Sequence, residues 1–259
     1  RFTVYRPKRR DIISATFRDR VYQRSLCDNG IYPQMVKSFI RDNCACQKGK
    51  GTDDCRKRLE VLLRRYFINY GADGYVLQLD IQGYYPNMPH RVAEAAFARR
   101  LDPETYDKTV SVLRGQYSGD KGYNPGSQIV QMAGISVLDR LDHYAKEKLR
   151  CKYYVRYMDD AILISHDRRY LERCLQEISN LLSEMGFSAN PKKTNIYRLL
   201  KGIPFLGFSF RLTETGKVLR LISSQNVKSQ RKRLARMVAL CKRGKLARHH
   251  VDQSYQSWR

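Results

Sequence analysis

Acidic residues are scarce in this sequence relative to basic ones: 25 Asp and Glu face 49 Lys and Arg, a formal charge of +24 over 259 residues. Solubility alone asks for a net charge of only about 2–8 on a small domain. The surplus therefore excludes a charge-balanced general surface and points to a polyanionic partner, nucleic acid first. Long apolar runs are missing too. None nears the ~20 residues of a membrane span, and no signal-like stretch opens the chain, so a soluble cytoplasmic protein without a membrane partner is expected. Histidine or a fourth cysteine is missing where zinc would need one. Cys44, Cys46 and Cys55 come closest to a metal pattern, but nothing nearby completes it. The seven cysteines read instead as buried or free thiols of a reduced compartment. Repeats and low-complexity tracts are lacking, as are ribonuclease H and endonuclease motifs. The chain begins at Arg1 and stops mid-pattern after Trp258, which suggests a trimmed piece of a longer product.

What is present is a series of amphipathic and apolar segments. A short extended piece (Phe2, Val4, Tyr5) and a basic cluster precede a helix near 19–27. After a basic Gly-rich turn at 47–52, Leu59, Leu62, Leu63, Tyr66 and Phe67 set a helical period over 53–70. The run from Tyr75 to Ile81 reads as a buried strand carrying Asp80. Short helices are expected at 89–100 and 104–114, a loop at 115–126, and one long helix over 128–149 with Ile129, Met132, Ala133, Val137, Leu141 and Tyr144 on one face. Two apolar stretches, 153–157 and 161–165, flank Met158-Asp159-Asp160 as a hairpin with acids at its tip. A helix at 168–185, a short strand near 187–189, a second hairpin around Thr215-Gly216 and a basic helix over 226–243 complete the reading. This order suggests one mixed sheet with helices on one face, the split βαβ, ferredoxin-like plan of an α/β (α+β) fold.

An Asp-Asp pair at a hairpin tip is by itself a turn preference. Here apolar runs flank it and an acid-bearing strand lies upstream, so three carboxylates converge on one sheet edge. That is costly unless cations occupy the site. Mg²⁺ suits it, being hard and oxygen-loving and leaving positions for phosphate oxygens. Two such ions are the device that stabilises both oxygens of an in-line phosphoryl displacement.

The ordered motifs resemble those of reverse transcriptases. Tyr157-Met158-Asp159-Asp160 resembles their signature, and Asp80-Ile81-Gln82-Gly83-Tyr84-Tyr85-Pro86 their first metal-binding motif in its bacterial form. Asn190-Pro191-Lys192-Lys193-Thr194 and Phe205-Leu206-Gly207-Phe208 resemble the next two. The stretch from Lys8 to Arg20 is similar to the fingers motif of group II intron-like and diversity-generating-retroelement enzymes. The resemblance, running from about Val4 to Trp258, implies a right-hand polymerase: helical fingers at 1–74, a palm at 75–222 with a fingers-type insertion around 89–125, and a partial helical thumb at 223–259. It implies that Asp80 and Asp159 bridge two Mg²⁺ ions (Mn²⁺ as a substitute), with the Ile81 carbonyl as a main-chain ligand and Asp160 as an auxiliary acid. Lys193 would protonate the leaving pyrophosphate. Lys8 and Arg10 would grip the triphosphate, Tyr85 would exclude a 2′-hydroxyl, and Gly126 and Gln131 would line the substrate. Phe205, Leu206 and Gly207 would support the primer end. For Tyr85 taken alone, plain core packing is the rival reading.

Lys48 and Lys50 in the basic turn, and Arg231, Lys232 and Arg236 on the last helix, are candidate phosphate contacts. A solvated surface is the rival for both groups. The sequence departs from the family at Asn124-Pro125-Gly126-Ser127, where Pro125 stands in place of a usual glutamine. Losing that amide removes a hydrogen bond near the templating base and is a route to low fidelity; a divergent bacterial subgroup is the other explanation. The expected activity is RNA-directed DNA polymerisation from an RNA template, a DNA or RNA primer and deoxynucleoside triphosphates. A structured cognate RNA and an accessory protein are further candidate partners. The alternatives are a phage-defence polymerase with non-faithful or untemplated synthesis, and a structural RNA-binding protein.

Overall fold

The computed structural model describes residues 2–4, 10–12, 15–124 and 126–258. Strands β1 (Phe2–Val4) and β2 (Arg10–Ile12) pair antiparallel at the start of the chain. Helix α1 (Phe17–Leu26) runs into a π-helical segment (Cys27–Ile31) and the short α2 (Tyr32–Met35). Thr16 caps α1 by accepting from the Asp19 amide. Helix α3 (Thr52–Tyr70) carries Asp53 and Asp54 in its first turn, where carboxylates suit the helix dipole. It buries Cys55, Leu59, Leu62, Leu63 and Tyr66 along one stripe.

Strand β3 (Tyr75–Asp80) ends at a turn, and α4 (Tyr84–Asn87), α5 (His90–Ala98) and α6 (Pro103–Gln116) follow. Asp102 caps α6 and Pro103 opens it, the arrangement favoured at a helix start. The single helix expected over 128–149 is divided. Helix α7 (Gln128–Val137) stops at Leu138 (ψ 5°), α8 (Asp139–His143) follows, and Tyr144–Lys148 is a π-helical segment. Nor does α7 keep a narrow apolar stripe: every residue from Ile129 to Val137 except the exposed Gln131 is buried, which widens the one-sided stripe the spacing suggested.

Strands β4 (Tyr153–Tyr157) and β5 (Asp160–Ser165) form the expected hairpin, and α9 (Arg168–Glu184) follows behind an Asp167 cap. The strand expected at 187–189 reduces to one bridge between Ile81 and Ala189. The fourth strand is instead β6 (Asn195–Arg198). The sheet order is β4-β5-β3-β6, and all three neighbouring pairs are antiparallel rather than mixed. Two helical crossovers, between β3 and β4 and between β5 and β6, complete a split βαβ plan.

Side chains alternate across this sheet with period two. Leu77, Leu79, Tyr154, Ala161 and Leu163 join one core with Phe97, Ile129, Leu171 and Ile178 of the helices. Val76, Tyr153, Val155, Ile162 and Ile164 join a second core with α3. A three-stranded sheet of β7 (Ile203–Phe205), β8 (Phe208–Leu212) and β9 (Val218–Ile222) closes that second face. Helices therefore cover both faces, not one. Burial on both sides is why the central strands read as continuous apolar runs.

Helices α10 (Ser224–Lys242) and α11 (Arg248–Gln256) pack on each other at the end of the chain, and Gln230 of α10 donates to the Ser254 carbonyl at 3.3 Å. All seven cysteines are free thiols. Among the described residues no helix is long and apolar enough to cross a membrane.

Candidate active site

The register of the sheet brings the acids together. Asp80 at the end of β3 lies directly opposite Asp160 at the start of β5, and Asp160 in turn faces Tyr157 of β4. Residues exactly opposed on antiparallel strands place their Cβ atoms about 4.5–5.5 Å apart. Met158 and Asp159 form the two-residue turn between them, and Met158 takes a φ of 54°. A left-handed residue other than Gly or Asn is uncommon there and costs roughly 1–2 kcal/mol.

Asp80 is held from a third side. The Asn190 amide nitrogen donates to Asp80 Oδ1 at 2.8 Å, and Lys193 Nζ sits 2.5 Å from Oδ2. The Asp80 carbonyl accepts from the Asn190 backbone N–H at 2.7 Å and from the Thr194 hydroxyl at 3.2 Å. The loop 190–194 thus wraps the strand end. Lys193 was singled out from the sequence, whereas Asn190 and Thr194 were read only as parts of a motif string. Their signal was a polar loop followed by a strand that the sequence reading placed too early.

Three acids at one edge perturb one another. Burial, then the Asp159 and Asp80 charges, push the Asp160 carboxyl up to about 7, against the pull of Lys193. Burial also raises Asp159, with Asp80 adding to it. Lys193 is raised by its hydrogen bond to Asp80 and stays an ammonium. Among the described residues no group of three or more His, Cys, Asp and Glu side chains is poised to hold a metal as it stands. The two oxygens of Asp80 are engaged by Asn190 and by the Lys193 ammonium. An all-oxygen donor set, two carboxyls driven toward their neutral form, and an ammonium lodged on the third fit a hard divalent cation.

Tyr85 is half-buried and faces α7 at Gly134, where an added Cβ would come within 2.5 Å of its hydroxyl oxygen. Burial raises this phenol, with the Cys46 and Asp159 charges adding to it. Neighbouring Tyr84 donates to the Gly134 carbonyl at 2.5 Å. Gln131 is exposed and lines a cavity of about 280 Å³ with Gln128, Met132, Cys46 and Lys48. Gly126 is exposed just before the Ser127 cap of α7. Lys8 and the Arg10 side chain lie outside the described residues, as does Pro125.

The remaining candidates are spread around this centre. Lys48 is exposed, with its ammonium 5.3 Å from the Tyr32 ring. Lys50 points inward and donates to the carbonyls of Asn43 (2.9 Å), Ile40 and Arg41 (3.4 Å each), so its charge ties the loop together. Phe205 is buried in the second core, while Leu206 (φ 45°) and Gly207 (φ 85°) make the turn between β7 and β8. Arg56 of α3 donates to the Leu206 carbonyl at 2.7 and 3.1 Å, and Asn226 of α10 donates to the Gly207 carbonyl at 3.1 Å. Arg231, Lys232 and Arg236 are exposed on α10.

Two buried residues here were not foreseen. Arg156 and Asp142 form a fully buried ion pair between the sheet and α8. The signal was available: a lone basic residue inside an apolar strand must find a partner.

Comparison with solved structures gives the same architecture. Telomerase from Candida albicans, in a structure with a fragment of telomeric RNA, aligns at 14% identity and a TM-score of 0.54, covering 78% of this chain and 36% of that one. Apo telomerase from Candida tropicalis aligns at 13% identity and 0.55, with 78% and 40% covered. Its form truncated at the C-terminal domain aligns at 13% and 0.53, with 77% and 43% covered. At such identity the likeness is one of fold, that of a right-hand polymerase, and this chain spans well under half of each telomerase. No curated protein matches the sequence. The reverse transcriptase (RNA-dependent DNA polymerase) family matches residues 8–210, which is most of the chain and includes Asp80, Asp159, Asp160 and Lys193, and the chain belongs to that family.

Proposed function

We propose that this protein is an RNA-directed DNA polymerase that extends a primer 3′-end with deoxynucleotides. The observation that carries the reading is the Asp80–Asp160 cross-strand pair with Asp159 on the adjoining turn. In it, residues 1–74 serve as fingers, 75–222 as palm with an insertion around 89–125, and 223–259 as part of a thumb. Asp80 and Asp159 would hold two Mg²⁺ ions, aided by the Ile81 carbonyl, with Asp160 as a neighbouring acid. When bound, such ions supply positive charge to the attacking 3′-hydroxyl and to the departing pyrophosphate.

The chain's own groups do the rest. Lys193 carries a proton at Nζ beside Asp80 and would give it to the leaving group. Asn190 holds the Asp80 carboxylate and Thr194 its backbone carbonyl. Tyr85, whose hydroxyl lies against Gly134, would present its ring beneath the sugar of the incoming nucleotide. Lys8 and Arg10 would bind the triphosphate by charge-assisted hydrogen bonds. The exposed bases of α10 would track the duplex backbone, with a structured cognate RNA as the natural template source.

Asp159→Asn is the test. The amide matches the carboxylate in shape but cannot balance divalent cations. Incorporation should be abolished on RNA and DNA templates alike, with circular dichroism and RNA affinity unchanged. Extension near the parental rate would sink the assignment. Supplying each nucleotide singly in the parent separates templated copying from untemplated addition.

A further inference from the structure

Arg156 is the only charged residue of β4, and it is 0% exposed. Arginine is almost never buried to that degree without partners. Its Nε and Nη2 close on the two oxygens of Asp142 in α8, at 2.7 and 2.6 Å. The Tyr154 hydroxyl donates to the same Asp142 Oδ1 at 2.7 Å, and Nη2 also reaches the Ile135 carbonyl of α7 at 3.2 Å. Across the sheet from Arg156 stands Ala161, a small side chain beside the guanidinium. The backbone of Arg156 is clamped as well: its N–H donates to the Asp42 carbonyl at 2.9 Å, and its carbonyl accepts from the Cys44 N–H at 3.0 Å.

One more donor of this anchored group points toward the hairpin tip. Nη1 donates to the Met158 carbonyl at 2.7 Å. Met158 is the residue whose positive φ bends the chain so that Asp159 follows on the turn.

We propose that Arg156, braced by Asp142, is a positioning residue that holds the Met158–Asp159 turn from beneath and so sets the direction of the Asp159 carboxylate. This rests on the reading of Asp159 as an acid of the polymerase site. The guanidinium acts only through the Met158 carbonyl. Arginine suits the task because its donors form a rigid fork that serves two oxygens of Asp142 and a third oxygen at once. A lysine at this position could neutralise Asp142 but would give up the simultaneous hold on Met158.

The test uses the whole chain and compares Arg156→Lys, Tyr154→Phe and Met158→Gly. Amide hydrogen exchange is read first, without metal or substrate. In Arg156→Lys the Asp159 and Asp160 amides should exchange about tenfold faster or more, while β3 amides away from the site keep their protection. In primer extension kcat should fall by about tenfold with nucleotide KM within about twofold, the pattern of a misplaced catalytic group. Tyr154→Phe removes one support of Asp142 and should move both readouts the same way by less. Glycine adopts positive φ without strain, so adding Met158→Gly to Arg156→Lys should recover part of the lost kcat, a non-additive cycle.

Parental turn exchange in a folded Arg156→Lys protein overturns the proposal. Should that variant fail to fold, Tyr154→Phe carries the test, and parental turn exchange there overturns it. Because exchange is measured without catalysis, this result stands whatever Asp159→Asn shows.

Discussion

At Tyr85 two roles compete, and its contacts with α7 bear on both. The ring lies against Gly134, where a methyl group would come within 2.5 Å of the hydroxyl oxygen. If the ring excludes a 2′-hydroxyl, Tyr85→Ala removes a repulsive element and should raise ribonucleotide use relative to deoxynucleotide use. A tenfold change in the ratio of incorporation efficiencies is about 1.4 kcal/mol of lost discrimination. Gly134→Ala should displace the ring without touching the acids and shift the same ratio. Single-nucleotide incorporation on one RNA template measures both variants. If the two efficiencies fall together and the ratio holds, Tyr85 is a packing residue. The acids were legible in the sequence because an Asp closing an apolar strand and an Asp-Asp at a hairpin tip have few cheap explanations. Arg156 escaped notice because it sits just before the signature, in a strand pattern that draws attention to its apolar neighbours. Gly134 escaped because a helical glycine shows its purpose only when the ring opposite is known.

Elements were legible where one periodicity dominated and illegible where burial was complete or a turn intervened. Helices α3 and α9 keep an apolar stripe and lie close to where spacing put them. The 128–149 segment is apolar on several sides, so nothing marks the stop at Leu138, which is neither Gly nor Pro. Strand β6 is short and only half apolar, with Asn195 and Arg198 exposed, and the reading slipped to the more apolar 187–189. The division of the long helix has a testable consequence at His143, at the end of α8. Its Nδ1 meets Glu147 at 2.6 Å, its Nε2 meets the Ser38 carbonyl at 2.9 Å, and Asp139 lies 3.6 Å away with Arg100 beyond it. The Glu147 hydrogen bond chiefly raises this imidazole, burial opposes, and the Ser38 carbonyl and Asp139 add. A raised histidine stabilises the fold fully below its ordinary value of about 6.5, and that contribution fades as pH rises through the raised value. The Tm advantage of the parent over His143→Gln should therefore shrink between acid and mildly alkaline pH. A constant difference would mean that packing, not charge, is what His143 contributes.

Over the whole molecule the +24 charge forecasts affinity that depends on salt. If α10 follows a duplex backbone, log K for an RNA–DNA hybrid should fall with log salt by several units. Replacing Arg231, Lys232 and Arg236 together should flatten that slope by about 2 to 3 units, one per lost phosphate contact. An unchanged slope would place the duplex on another face. The central sheet carries a different consequence, one of timing. Strand β3 is flanked by β5 and β6, both made much later, and the Thr194 hydroxyl that binds Asp80 lies 114 residues downstream. At roughly 5–20 residues per second of synthesis, Asp80 waits about 6–23 s before that loop exists. Until β5 is made, an apolar strand with both edges open has no native partner in the sheet, a state prone to wrong pairing. A nascent chain shorter than residue 198 lacks the last strand of the sheet, so the acids come under their final constraint only after β6 is made, and termination before that point leaves a sticky strand rather than a weak enzyme.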